Sequence, residues 1–370
     1  MKVIILNSKL KEGLNVIERS IQESGNLPIL KNVLIKVQNG KITLAGTNLE
    51  FASIVNIPGK INEAGVVTAP FQAINRIVSN SDSERITLEL KDNNLNIETD
   101  NYHAKIQVAN NEDFPIIPKI KQPTNVLKIN NETFKNSLLK ILPAAQVSEI
   151  RPEISGVLID CQISLLKIAA TDTFRLSEKT LNNNQFQITT DEGFKTTIPL
   201  KTIQEVVRIF NDSEEIQIQF DDNQVLFKNE NIELISRLID GEYPDYQAII
   251  PKKIDTELRV NREQFINAIK LVSGFSGKVN DIKVSLHESG KTIEIHSANQ
   301  NLGENRYLIP IKHTGNKFEE ISFNWRYLLD GLRSNEGESV VFGVNGDSRP
   351  AVIKSPEDSS YFYILMPIKI

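Results

Sequence analysis

Apolar residues in this chain recur at a spacing close to 3.6 in three places, each just after a short apolar strand pattern. Leu10, Leu14, Ile17 and Ile21 form the first stripe, Phe134, Leu138 and Ile141 the second, and Phe265, Ile269 and Val272 the third. The patterns before them read VIIL, LKIN and LRVN. The stripes begin at similar intervals, 134 − 10 = 124 and 265 − 134 = 131 residues. Ser8 is placed to cap the first helix through its side-chain oxygen. A second helical stripe follows in each stretch: Phe71, Ile74 and Ile77 after Pro70; Ile203, Val207 and Phe210 after Pro199; Trp325, Leu328 and Leu332. Proline suits a helix start, where its missing N–H is not needed.

Between the helices, alternating runs predict hairpins. VLIKV and KITLA turn at Asn39-Gly40, a pair that tolerates positive φ. Ile86, Leu88 and Leu90 return as Leu95 and Ile97 after Asp92-Asn93-Asn94. GVLIDC pairs with LLKIAA, IQIQF with VLFKN around Asp221-Asp222-Asn223, and IKVSL with TIEIH across Ser289-Gly290. SVVFGV begins a last hairpin. A large apolar residue and a proline close each stretch, at Phe114-Pro115, Tyr243-Pro244 and Met366-Pro367. Self-similarity at a fixed period decides architecture. The pattern predicts three similar modules, 1–122, 123–252 and 253–370, with short linkers near Lys121–Thr124 and Lys252–Asp255. Two helices interleaved with antiparallel strands in each module argue an α+β fold, helices packed on one face of the sheets.

Composition adds limits. The 370 residues are 40% hydrophobic and 24% charged, an ordinary globular balance. The formal net charge of −5 does not by itself point to nucleic acid. The single cysteine, Cys161, excludes an intrachain disulfide and favours a reducing compartment. The apolar run at the N-terminus is too short for a signal peptide. No apolar stretch approaches the ~20 residues of a membrane span. The expectation is a cytoplasmic protein with no membrane partner.

Enzyme motifs are missing. The sequence holds no G-x-x-x-x-G-K-[ST], G-x-G-x-x-G or G-x-S-x-G. His103, His287, His296 and His313 are scattered, none at metal-ligand spacing from a cysteine or acid. Cys161 lies in an apolar strand and reads as a buried structural thiol. Asp221 and Asp222 read as turn formers. The expectation is no catalytic residue, no cofactor and no metal; a hydrolase with an acidic site is proposed by no motif.

Several segments go beyond architecture. Asn26-Leu27-Pro28-Ile29-Leu30-Lys31-Asn32-Val33-Leu34 and Gly46-Thr47-Asn48-Leu49-Glu50 come first. Ala170-Thr171-Asp172-Thr173-Phe174-Arg175-Leu176 and Leu238-Ile239-Asp240-Gly241-Glu242-Tyr243-Pro244-Asp245-Tyr246 follow, and Leu365-Met366-Pro367-Ile368-Lys369-Ile370 ends the chain. In this order they resemble the bacterial DNA polymerase III beta subunit, the sliding clamp family. The resemblance implies the DNA clamp fold: a head-to-tail homodimer of three-module chains, closed into a ring around duplex DNA. It implies a processivity factor for DNA replication, without a catalytic site of its own. Its partners would be duplex DNA held without sequence preference, the DNA polymerase III alpha subunit, the clamp loader, and other polymerases and repair proteins carrying clamp-binding peptides. The alternative is a clamp-fold protein scaffold that does not encircle DNA.

Sliding needs weak, sequence-independent attraction to phosphates, and local charge matters more than net charge. The helix faces expected to line the hole carry Lys9, Lys11 and Arg19; Arg76; Lys135 and Lys140; Lys201 and Arg208; Arg262 and Lys270; Arg326 and Arg333. Lys201 and Arg208 match basic positions of the family, whereas Ser24 and Gln72 stand where its members often carry arginine. For a partner-peptide pocket the resemblance implies Ile154, Thr171, Thr173, Phe174, Arg175 and Leu176. It adds Pro244, Ala248, Ile249, Asn324, Tyr327 and Pro350, and at the end Ile364, Met366, Pro367 and Ile368. Thr173 and Phe174 replace a common Gly-His pair. The dimer interface is expected where an edge strand with Ala104, Ile106 and Val108 meets the third module near Lys270, Leu271 and Val272.

Overall fold

The computed structural model describes residues 1–21, 27–189, 192–210 and 215–369. Six α-helices stand where the stripes lie: α1 (Asn7–Ile17), α2 (Phe71–Asn80), α3 (Asn131–Ile141), α4 (Leu200–Ile209), α5 (Arg262–Val272) and α6 (Trp325–Ser334). Leu10, Leu14 and Ile17 of α1, Phe134, Leu138 and Ile141 of α3, and Phe265, Ile269 and Val272 of α5 are all buried. Burying one stripe of each helix is what the 3.6 period encodes.

Helix starts differ from expectation in one place. Ser8 does not cap α1, because the helix begins a residue earlier with Leu6 at the N-cap. Asn7 instead donates Nδ2 to Ser81 O at 2.7 Å. Side-chain caps do occur at Asn261 of α5 and Asn324 of α6, which accept from Gln264 N and Arg326 N. On α4 the buried face is Ile203, Val206 and Ile209, while Val207 is only half-buried.

The chain groups into two compact units. One holds Met1–Asn131, Gln187–Thr190 and Gln204–Leu238; the other holds Glu132–Phe186, Asp191–Ile203 and Ile239–Ile370. The repeat is thus visible element by element, while the compact units are two.

In the first unit, a five-stranded sheet is ordered Lys60–Glu63, Lys2–Leu6, Arg85–Lys91, Asn94–Glu98, His103–Gln107. A nine-stranded sheet joins hairpins of two repeats through one antiparallel pair, Phe51–Ile57 with Ile232–Arg237, in which Phe51 faces Ser236 and Val55 faces Ile232. Apolar residues of α1, α2 and both sheets share one core, including Val3, Leu14, Leu44, Phe71 and Leu88.

In the second unit, a twelve-stranded sheet makes the same kind of join. Arg175–Asn182 pairs antiparallel with Tyr361–Leu365, Arg175 facing Leu365 and Lys179 facing Tyr361. The two joins use corresponding strands of successive repeats. Among the described residues, no helix is long and apolar enough to cross a membrane.

Candidate functional site

The Thr171–Leu176 segment is held by its own side chains. Thr171 Oγ1 donates to Arg175 O at 2.7 Å and accepts from Thr173 N at 3.1 Å. Asp172 Oδ1 accepts from Phe174 N (3.0 Å) and Arg175 N (2.9 Å). These bonds bring Thr173 to φ 77°, a left-handed conformation uncommon for a β-branched residue. The turn leaves the Phe174 ring 60% exposed.

Arg175 is anchored on three sides. Its Nε donates to Asp172 Oδ2 at 2.8 Å and its Nη1 to Asp330 Oδ2 at 2.6 Å. Its guanidinium lies 4.2 Å from the centre of the Tyr327 ring, a cation–π stack. Two carboxylates therefore neutralise this arginine, and the ring of Tyr327 is fixed beside it. Burial pushes the hydroxyls of Tyr243 and Tyr363 above the ordinary tyrosine range, so both stay neutral.

The C-terminal segment closes on the same loop, since Met366 N donates to Phe174 O at 2.8 Å. Leu176 and Ile364 belong to a cluster with Leu158, Ala169, Tyr246 and Val352. Of the expected pocket residues, Ile154, Thr171, Leu176 and Ile364 are buried, and so form floor rather than contact surface. Thr173, Phe174, Pro244, Ala248 and Ile249 are exposed. Arg175, Asn324, Tyr327, Pro350, Met366, Pro367 and Ile368 are half-buried. Asn324 caps α6, Pro350 O accepts from Asn345 Nδ2 at 3.2 Å, and Ile368 N donates to Ser322 O at 2.8 Å. The described bonds thus bring Thr171–Leu176, Asp330, Tyr327 and Met366 together, and Ile364 pairs with Leu176 across the strands.

The expected channel cations differ in exposure. Lys11, Arg76 and Lys201 are exposed, and Lys135 is half-buried. Several others have the following partners. Lys9 pairs with Glu12 at 2.7 Å, and Arg262 with Glu263 at 2.8 Å. Arg326 lies over the Trp325 ring at 5.2 Å. Arg19 reaches Glu205 at 3.3 Å and remains 62% exposed. Lys140 is drawn inward, 3.1 Å from Glu336, 3.7 Å from Asp358 and over the ring of Tyr361. Arg208 donates to Asn15 O and Val16 O, at 2.6 and 3.1 Å, and sits 2.7 Å from Glu205. Lys140 and Arg208, both expected at DNA, are thus bonded within the protein, Lys140 to carboxylates and Arg208 to carbonyls distant in sequence. Ser24 and Asn26 lie outside the described residues; Gln72 is exposed.

At the expected dimer edge, His103–Gln107 is the outermost strand of its sheet. Ala104, Ile106 and Val108 pack against their own core, while His103, Lys105 and Gln107 are exposed. At the other expected side Val272 is 1% exposed and buried in the core, whereas Lys270 is exposed and Leu271 is 62% exposed. Sequence reading missed Glu205 and Asp330, both the sixth residue of a second helix (205 − 200 = 5; 330 − 325 = 5). Their shared position within the repeat was the available signal. Among the described residues, no group of three or more His, Cys, Asp or Glu is placed to hold a metal.

Models of the N-terminal, central and C-terminal domains of the DNA polymerase III beta subunit match residues 1–118, 128–245 and 247–369. The beta sliding clamp of Bacillus subtilis is 26% identical over 381 residues, covering 100% of both chains. That of Rickettsia bellii is 27% identical over 385 residues, again covering 100% of both. The crystal structure of the Bacillus subtilis clamp superposes with TM-score 0.94 at 26% identity, covering 100% of this chain and 99% of that one. The Thermotoga maritima beta subunit shares the fold with TM-score 0.91 at 22% identity, with the same coverage. Matched from end to end by all three domain models, the chain belongs to the DNA polymerase III beta subunit family, the bacterial sliding clamps.

Proposed function

We propose that two copies of this sliding clamp close head to tail into a ring of six modules, 1–122, 123–252 and 253–370 of each, around duplex DNA. The observation that carries the reading is the repeated strand join. Phe51–Ile57 pairs with Ile232–Arg237, and Arg175–Asn182 with Tyr361–Leu365. Strand His103–Gln107 and the first part of strand Gly303–Gly315 are the unused members of that series. Pairing them between copies covers both of these open strands, the condition under which a strand is protected from adventitious strand addition.

Exposed Lys11, Arg76 and Lys201 supply the sequence-independent attraction to phosphates that a sliding ring needs. The ring tethers the polymerase to DNA by topology, so no base-specific contact is required. The exposed Phe174, tied by its carbonyl to Met366 N and followed by Arg175 on the Tyr327 ring, suits short apolar peptides of the polymerase alpha subunit, the clamp loader and repair proteins. A few apolar anchors in a preformed site carry such binding, and the flexible thioether of Met366 adapts to different ligands. Sedimentation equilibrium tests the ring: two copies per particle at micromolar concentration are expected, and a monomer throughout would defeat the reading.

A further inference from the structure

The join in the second unit is locked by a cluster of three oxygens. Ser177 Oγ lies 3.0 Å from Lys140 O and 3.0 Å from the Tyr361 hydroxyl. Tyr361 donates to the same Lys140 carbonyl at 3.1 Å. That carbonyl belongs to the last turn of α3, where helical C=O groups have no partner within the helix. The tyrosine comes from the following repeat, so the cluster stitches one repeat to the next.

The third repeat holds two thirds of the same cluster. Leu271 is the tenth residue of α5, as Lys140 is of α3 (271 − 262 = 9; 140 − 131 = 9). Asn305 takes the place of Ser177. Leu176 pairs with Thr171 and Glu304 with Ala298 across corresponding hairpins, and Ser177 and Asn305 come next. Asn305 Nδ2 donates to Leu271 O at 3.1 Å, the counterpart of the Ser177–Lys140 bond. Its Oδ1, however, is buried and has no hydrogen-bond partner. A buried acceptor left unpaired costs about 1–3 kcal/mol.

The missing hydroxyl is present elsewhere in the chain. Tyr102 has the repeat position of Tyr361: each comes just before a closing hairpin pair, Glu98 with His103 and Lys354 with Phe362. Tyr102 is 49% exposed. Residues Gly303–Pro310 pair with Thr292–Asn299 on one side, and among the described residues no strand lies on their other side.

We infer that, when two copies pair, the Asn305 side chain turns to present Oδ1 to the partner's Tyr102, whose hydroxyl donates to it and completes this cluster between the copies. The inference rests on the two-copy ring. The register of the internal join fixes the rest. Lys179 faces Tyr361 in the chain, so Tyr307 faces the partner's Tyr102 between copies. Leu176 faces Ile364, so Glu304 faces the partner's Lys105, opposite charges directly across the strands. The exposed apolar residues agree: Tyr102, Leu271 and Tyr307, 49%, 62% and 38% exposed, all fall at this contact.

The test is a mutant cycle read by the dissociation constant of the dimer. Tyr102→Phe removes one donor at each of two joins and should raise the constant on the order of tenfold. In an Asn305→Ala background the same change should stay within about twofold. Equal losses in both backgrounds, or none in either, would overturn the assignment while leaving the ring intact. A register check keeps the two separable. Oxidation of the Lys105→Cys, Glu304→Cys double variant should cross-link the copies, whereas Lys105→Cys with Arg306→Cys should not. Cross-linking of the second pair would refute the register, and a monomer before substitution would refute the ring itself.

Discussion

The carboxylate of Glu205 lies 2.7 Å from Nη2 of Arg208, and Glu205 is 4% exposed. Arg208 also reaches the Asn15 and Val16 carbonyls at the end of α1, and Arg19 approaches the same carboxylate. A cation at a helix C-terminus also opposes the negative end of the helix dipole. One buried acid thus ties α4 to the end of α1. Removing it strands a half-buried arginine, and breaking a buried pair costs roughly 3–5 kcal/mol. Glu205→Ala is expected to lower unfolding stability by about 3 kcal/mol in urea titrations, the exposure of Arg19 moderating the loss.

Lys201 and Arg208 share α4, Lys201 exposed and Arg208 bonded to the Asn15 and Val16 carbonyls. Removing one cation from a phosphate lowers the slope of log affinity against log salt by about 1. Lys201→Ala should show that drop in DNA-binding titrations. Arg208→Ala should keep the slope and lose thermal stability instead.

Phe174 offers a surface residue with a binding role. Its ring is 60% exposed, so Phe174→Ala should change folding stability by less than about 0.5 kcal/mol. Affinity for a short apolar clamp-binding peptide should fall by on the order of tenfold in fluorescence anisotropy, as for loss of an aromatic anchor. Asp330→Ala should act on the same peptide indirectly, by releasing Arg175 from one of its two carboxylates.

What the sequence revealed follows from range. The stripes Leu10–Leu14–Ile17 and Phe265–Ile269–Val272 were legible because a helix that buries one face must repeat apolar residues along it. The turn at Asn39-Gly40 was legible because both residues take positive φ. The internal partners of Lys140 and Arg208 were not, because a cation on a polar helix face looks the same whether water or a distant carboxylate or carbonyl faces it. Arg19 and Glu205 are 186 positions apart, and Arg175 and Asp330 are 155. Ser8 failed as a cap because the helix starts at Asn7, two residues earlier than a cap at the serine requires. The loop around Thr171 was marked by its motif, but the left-handed Thr173 that turns Phe174 outward was not.

Acid should weaken the second unit through Asp358. Burial opposes its charge, but hydrogen bonds from Ser360 and Lys179 prevail and hold its carboxyl at about 2, against an ordinary value of 3.8. The folded state therefore binds this proton less readily than the unfolded chain. The stabilisation is fully present above about pH 4 and is lost as pH falls toward about 2. Asp358→Asn should flatten the pH dependence of stability in that window, measured by urea unfolding at successive pH values; an unchanged profile would rule out Asp358 as the titrating group.

Encirclement is the claim on which the rest depends, and topology tests it most directly. The clamp, loaded by a clamp loader onto a singly nicked circular plasmid, is passed through a sizing column in salt high enough to screen phosphate contacts. It should elute with the intact circle and be released when a single cut linearises the DNA. Equal retention on circular and linear DNA, or none on either after loading, would contradict encirclement.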